Sequence, residues 1–200
     1  MAPDVVIFVV IACHFRNENE LCETATKRLD EAVRIYRSRF PRKLSDYIPL
    51  MYFLVTGHCP YEKGSKNLDE LMKECLVRKG IRATRIITST GFGIASEAKA
   101  VSEQIVRSIP NHSNEVIIIS SRWYFWAAGP FWHKYARRNN LVVSMARVRN
   151  TGGWRTVVIY LAYAIIVRTF FALGLSGVIE KIMNKFQAGR SEGFQFNGCA

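Results

Sequence analysis

The sequence predicts an α/β protein, a three-layer Rossmann-like sandwich with a mainly parallel sheet and extra C-terminal helices. Short apolar runs rich in β-branched residues recur without alternation, which is typical of strands covered on both faces. Helical patterns separate these runs, as in βαβ units. A chain of 200 residues is long enough to bury such a core without a disulfide or a structural metal.

Five strands are predicted from the apolar runs. The longest are "VVIFVVIAC", "LMYFLVTG" and "EVIIISS" (5–13, 50–57 and 115–121), and shorter runs at 85–88 and 141–146 supply two more. Apolar residues at helical spacing predict helices over 22–40, 67–80 and 95–109. Gly80 is placed to end the second of these helices.

The C-terminal segment differs in composition from the rest of the chain. Residues 154–186 are apolar on nearly all sides, apart from Arg168, Gly174 and Gly177. We interpret them as two helices hinged near Gly174, packing on the domain or lying at a membrane interface. A transmembrane helix is the alternative, although a central arginine costs about 2.5 to 3.5 kcal/mol on insertion scales. The predicted divisions are thus an α/β domain over 1–150, these helices over 151–186, and a flexible tail over 187–200.

The net charge of +12 is unevenly distributed. Up to Glu115 there are 17 Lys and Arg against 14 Asp and Glu, but from Val116 onward the ratio is 11 to 2. This asymmetry favours an anionic partner, either a phosphorylated ligand or an anionic membrane surface. General solubility is the alternative explanation, and nucleic-acid binding is the least favoured partner class.

The five cysteines are scattered without a C-x-x-C pair or a zinc-type spacing, so no disulfide framework and no metal site is predicted. The N-terminal apolar run of nine residues begins after Asp4 and lacks a preceding basic region. It therefore predicts a buried strand rather than a signal sequence. A cytoplasmic protein, with membrane association through its C-terminal helices as an option, fits these features.

In parallel sheets, ligands bind beyond the carboxyl ends of the strands. Three loops follow predicted strands there, "CHFRNEN", "GHCPYEKGSK" and "SSRWYF". The first contributes Arg16 as a candidate. The second contributes Gly57, which allows close backbone approach, then His58, and Ser65 before an acidic helical turn. None of the loops contains a dinucleotide fingerprint or a Walker A motif.

The third loop offers Ser120, Ser121 and Arg122, whose hydroxyl, amide and guanidinium donors suit phosphate or carboxylate. No nucleophile elbow surrounds them, so anion binding is preferred to acyl transfer. Glu97 opens a predicted helix and has two possible roles, either capping or holding a ligand hydroxyl or water. The aromatic residues of 123–132 favour a core over a base-stacking platform.

The order of these pieces resembles the SanA/ElyC/YdcF family, a group of unknown function. The matching segments are "RLDEAVRIYRS", "FLVTGHCP", "SKNLDELMKECLVRKGI", "IASEAKAVSEQI" and "VIIISSRWYFWAA". The resemblance implies a Rossmann-like fold and a link to lipid-carrier or peptidoglycan physiology in the bacterial envelope. It also implies S-adenosylmethionine as a possible ligand, because one member is described as binding it.

Residue by residue, the resemblance implies site roles for Arg28, Gly57, Ser65 and Glu97, and for the pair Ser120 and Ser121. This chain departs from the family around Glu97, where Ile94, Ala95 and Ala98 replace Asn, Thr and Asn. It also departs after the long strand, where "YFWAA" (124–128) replaces His-Met-x-Arg-Ala. The loss of that His and Arg implies altered or absent catalysis.

The sequence therefore predicts a YdcF-like protein that binds a small anionic, phosphorylated or nucleotide-like ligand at the carboxyl edge of its sheet. S-adenosylmethionine and a lipid-carrier phosphate are the named options. Two alternatives stay open, a hydrolase or transferase that uses Glu97 on a phosphorylated substrate, and a non-catalytic interaction module.

Overall fold

The computed structural model describes residues 4–13, 15–39, 50–57, 65–89, 93–110, 114–149 and 154–191. Its centre is a five-stranded parallel sheet in the order β5-β4-β1-β6-β7. The strands are β1 Val5–Val10, β4 Leu50–Val55, β5 Ile86–Thr88, β6 Asn114–Ser121 and β7 Val142–Val148. The predicted fold class and all five predicted strands are confirmed.

The central strand β1 explains why these apolar runs do not alternate. All six of its residues are buried, because helices cover both faces of the sheet. On one face, α1 (Glu23–Arg39) and α2 (Leu68–Arg78) pack against Val6, Phe8 and Val10. On the other face, α3 (Ile94–Ser108) and α4 (Arg122–Arg138) pack against residues of the opposite parity, including Ile7 and Val9.

Two parts of the fold differ from the sequence prediction. The loop after β1 contains a small hairpin, β2 (Phe15–Asn17) with β3 (Glu20–Leu21). The segment after β6 was predicted as a loop, but it is the start of the 17-residue helix α4. Ser121 caps this helix by accepting a hydrogen bond from the Tyr124 backbone N–H at 3.4 Å.

The two predicted C-terminal helices are present as α5 (Trp154–Ala172) and α6 (Ser176–Ser191). Gly174 lies between them at a positive φ of 73°, which favours glycine. Helix α5 packs mainly on α4, and α6 packs mainly on α3 and on α5. Helix α6 continues past residue 186, and 192–200 lie outside the described residues. Within the part of the chain that the structure describes, no helix meets the length and apolarity needed to cross a membrane.

Arg168, the charge that interrupts the apolar run, has a structural role. Pro130 lies inside α4 and has no N–H, so the Trp126 carbonyl four residues earlier loses its helical partner. Arg168 of α5 donates to this Trp126 oxygen from its Nε at 3.3 Å. The arginine therefore compensates for the proline and fixes α5 against α4.

Gly57 follows β4 at a position where only glycine fits. Its φ is 99°, and a Cβ there would lie 2.5 Å from Ala12 Cβ, at the carboxyl end of β1. Gly80, which ends α2 as predicted, has a similar φ of 88° but no atom within 4 Å of an added Cβ. The two glycines share the conformational constraint and differ in their surroundings.

We therefore expect Gly57→Ala to destabilise the protein more than Gly80→Ala. Both substitutions incur backbone strain of about 1 to 2 kcal/mol, but only the first drives β4 away from β1. Urea unfolding should show at least about 1 kcal/mol of additional loss for Gly57→Ala. Equal losses for the two variants would contradict the close packing at this strand end.

Candidate functional site

The sheet order places a topological switch point at the carboxyl end of β1. Strands β4 and β6 lie on either side of β1, and the chain order of the strands reverses between β1 and β6. Ligands of open α/β sheets bind at such a switch point. Thr56 follows β4 and Ser120 lies near the end of β6, and both side chains are buried on the face that α3 and α4 cover.

Arg28 reaches this edge from α1. Its side chain is buried, and one terminal nitrogen donates to the carbonyl oxygens of Ile11 and Ala12, each at 2.8 Å. Its Nε is buried and has no hydrogen-bond partner among the described residues. A buried guanidinium with an unused donor is costly unless another acceptor reaches it.

Thr56 connects the strand ends to the helical layer. Its Oγ1 accepts a hydrogen bond from the Ala12 backbone N–H at 2.9 Å and donates to the Val10 carbonyl oxygen at 3.5 Å. Its hydroxyl also interacts with the carboxyl group of Glu97 and lowers the pKa of that group. One short side chain therefore links the end of β1, the end of β4 and the first turn of α3.

Glu97 is the centre of the cluster. It lies in the first turn of α3 with only 4% of its surface exposed, and its Oε2 accepts a hydrogen bond from the Tyr124 hydroxyl at 2.7 Å. Trp132 Nε1 donates to the Tyr124 hydroxyl oxygen at 3.3 Å. The carboxyl thus interacts with Thr56, just after β4, and with Tyr124 of α4, which favours the site role of Glu97 over the capping role.

Burial raises the pKa of Glu97 from its ordinary value of 4.5 to about 7, although hydrogen bonds from Thr56 and Tyr124 and the positive charge of Arg28 favour ionisation. Burial, together with the adjacent Glu97, also raises the pKa of Tyr124 well above 10. Tyr124 therefore stays protonated and acts as a donor. Glu97 is divided between its two protonation states at neutral pH and can accept or release a proton.

Helix α5 covers the cluster through Tyr160. This side chain is partly buried, and Arg28, Cys13 and Glu97 lie close enough to influence its ionisation. Burial is the main reason that the pKa of Tyr160 is raised to about 12. The site consequently combines groups from the sheet, from helices of both layers, and from the C-terminal pair.

Two of the predicted site residues lie on the surface. Arg16 is in β2, where its exposed side chain pairs with Glu20 at 3.8 Å. Arg122 is the exposed first residue of α4, with its guanidinium 5.3 Å from the ring centroid of Trp126. The structure therefore does not bring Arg16 or Arg122 into the buried cluster with Glu97.

Of the other predicted residues, Ser120 and Ser121 lie at the carboxyl end of β6. Ser120 Oγ is buried without a hydrogen-bond partner among the described residues, whereas Ser121 is used as the cap of α4. Ser65 precedes α2, and the N-cap of this helix is Asn67, whose backbone N–H donates to Glu70 Oε2 at 2.8 Å. His58 lies outside the described residues.

Tyr124, Trp132 and Tyr160 were not identified as site residues from the sequence. Tyr124 and Trp132 belong to the aromatic run, for which packing was predicted, and most of that run is indeed buried. The available signal was their spacing of eight residues, which places both on one broad face of a helix starting at Arg122. Nothing in the sequence indicates that α5 folds back over the site.

No cluster of three or more His, Cys, Asp or Glu within the described ranges could hold a metal ion. The buried donors and acceptors suit an organic ligand that carries both an anionic group and hydroxyls. The parallel sheet with its polar cluster at the switch point defines a Rossmann-like α/β protein. Comparisons with protein-family models, curated proteins and solved structures found no match for this chain.

The raised pKa of Glu97 predicts a pH-dependent stability. Because the folded state favours the protonated carboxyl, the stabilisation is complete below about pH 4.5 and is lost as the pH rises through about 7. Relative to Glu97→Gln, the wild-type free energy of unfolding should fall by about 3 kcal/mol between pH 4.5 and pH 8. Urea unfolding at several pH values measures this, and a constant difference between the two proteins would contradict it.

Proposed function

We propose that this chain is a YdcF-like protein that binds a small anionic, phosphorylated or nucleotide-like ligand at the carboxyl ends of β1, β4 and β6. The observation that carries the proposal is that the Nε of Arg28 is buried without a hydrogen-bond partner among the described residues. It lies at the same strand edge as the carboxyl of Glu97, whose pKa is about 7. Polar groups are buried in this way at binding sites more often than in ordinary cores.

The cluster offers distinct groups to the two parts of such a ligand. Arg28 supplies a charged donor for a phosphate or carboxylate, and Ser120 supplies a hydroxyl that no described residue uses. Glu97 can accept a hydrogen bond from a ribose-like hydroxyl, as acidic residues at this edge do in nucleotide-binding folds.

The resemblance to the SanA/ElyC/YdcF family supports the choice of ligands to test. It suggests S-adenosylmethionine, other nucleotides and lipid-carrier phosphates. Tyr124, which stands where the family has its histidine, cannot serve as a general base because its pKa is far above neutral. Its hydrogen bond to Glu97 instead holds that carboxyl in place. This favours binding over the family-type acid-base pair.

An enzyme is the second candidate, and the pKa of Glu97 near 7 favours it. A carboxyl with this pKa can act as a general acid or base in hydrolysis or transfer on a phosphorylated substrate. In this case Glu97→Gln would abolish turnover while ligand binding is largely retained. A simple binding protein would show no turnover in either form.

A thermal-shift screen against nucleotides, S-adenosylmethionine and prenyl phosphates tests the proposal. A ligand at 100 times its Kd should stabilise the protein by about 2.7 kcal/mol. Ser120→Ala removes a hydroxyl without a described partner, so we expect it to fold normally and to bind about three to ten times more weakly. Arg28→Met should abolish the shift.

Arg16→Ala is the matched control, because Arg16 is an exposed arginine outside the cluster and its removal should leave the shift unchanged. No stabilisation by any of the ligands would contradict the proposal and favour an interaction module. A ligand-induced shift that survives both Ser120→Ala and Arg28→Met would place binding elsewhere on the protein.

A further inference from the structure

Helices α5 and α6 present an apolar surface to solvent. The inner side of α5 packs through Ala164 and Val167, but its opposite side is apolar as well. We define the α5–α6 outer face by its exposed large apolar side chains, which include Val158, Ile159, Ile165, Ile166, Leu173 and Val178. Ile165 is 61% exposed and Leu173 is 66% exposed. Contiguous exposed apolar residues of this kind mark interaction surfaces.

Basic side chains lie on and beside this face. In α6, Val178, Lys181, Ile182 and Lys185 follow the spacing of one helix side, and all four are exposed. Arg168 is exposed at the edge of the α5 apolar side. Within the described ranges, no carboxylate lies within salt-bridge distance of these three basic residues.

Glu180 is the only acidic residue of α5 and α6, and it is already engaged by α4. Its two carboxylate oxygens bond to Lys134, at 2.9 Å, and to the Tyr135 hydroxyl. The α5–α6 outer face therefore combines apolar side chains with uncompensated positive charge.

We propose that the α5–α6 outer face docks this protein on an anionic lipid bilayer surface. Interfacial helices bury an apolar side at the boundary between headgroups and acyl chains, while lysines and arginines bind anionic lipid headgroups. Trp154, at the start of α5, is 72% exposed and suits the interfacial position that tryptophan prefers. The proposal does not depend on the ligand site around Glu97.

A shallow groove extends this face towards α4. It has a volume of about 330 Å³ and is lined by Trp126, Leu161, Ala164, Ile165 and Arg168. Its walls are almost entirely apolar, and the guanidinium of Arg122 lies over the Trp126 ring. An apolar groove bordered by arginines suits a lipid acyl chain and its phosphate.

A second copy of the chain fits the α5–α6 outer face less well. In a symmetric dimer the same surface meets itself, so Lys181, Lys185 and Arg168 would approach their own copies. No acidic side chain on the face is available to compensate them. The anionic bilayer supplies that compensating charge, and the dimer does not.

Co-sedimentation of the full chain with vesicles tests the docking. We expect binding to phosphatidylcholine vesicles that contain about one third phosphatidylserine, and much weaker binding to phosphatidylcholine alone. Removing two charges with Lys181→Gln and Lys185→Gln should weaken binding about thirtyfold. Replacing Ile165 and Ile166 with serine should weaken it at least about tenfold. All these positions are exposed, and circular dichroism verifies that each variant folds.

Arg78→Gln with Arg82→Gln is the matched control. It removes the same charge from exposed residues of the α2 region, on the other side of the sheet, and should leave vesicle binding within about threefold. Equal loss in this control and in the lysine variant would overturn the proposal, because net charge alone would explain it. Failure of the wild-type protein to bind anionic vesicles would also overturn the proposal. If the protein instead forms a dimer that is lost when Ile165 and Ile166 are replaced, the face is a contact between two copies of the chain.

Discussion

The polar groups at the carboxyl end of β1 have to satisfy one another, because helices cover both faces of this strand. Just after the strand, Arg28 donates to the carbonyl oxygens of Ile11 and Ala12, and Thr56 accepts a hydrogen bond from the Ala12 N–H. Thr56 then interacts with Glu97, and Glu97 accepts a hydrogen bond from the Tyr124 hydroxyl. One connected network therefore crosses the sheet from α1 to α4, and it leaves only a few donors unused. Those unused donors, rather than any single motif, define the candidate site.

Helix α5 connects this network to the surface. Its inner side carries Tyr160 next to the cluster. Arg168 donates a hydrogen bond to the Trp126 carbonyl oxygen, which Pro130 leaves without a helical partner. Its outer side has no packing partner within the described residues and carries much of the exposed apolar surface. These two sides explain why α5 is apolar all round, with no need for a membrane span. One side belongs to the core, and the other is the surface that we propose docks on lipid.

The sheet could be predicted from the sequence because strands buried on both faces leave unbroken β-branched runs such as that of β1. Helix α4 could not, because Pro130 and a dense aromatic run obscure its period. Ser120 was chosen as a candidate because the switch-point rule depends only on strand ends. Glu97 was chosen because it opens a predicted helix, and Arg28 through the family resemblance alone. Arg122 was predicted to lie in the site, but it directly follows the helix cap Ser121, and its side chain is exposed to solvent. Tyr160 was missed because its position depends on how α5 folds back, which is a tertiary contact without a local signal.

The candidate site depends on Glu97 being a buried carboxyl that titrates near neutral pH. Carbon-13 NMR of the Glu97 side-chain carboxyl, assigned by its loss in Glu97→Gln, reports this titration directly. We expect a midpoint of about 7 in the wild-type protein. In Tyr124→Phe the midpoint should be higher still, because the lost hydrogen bond favoured the ionised form. A midpoint near 4.5 that Tyr124→Phe leaves unchanged would show a solvated carboxylate and would contradict the burial of Glu97 in this network.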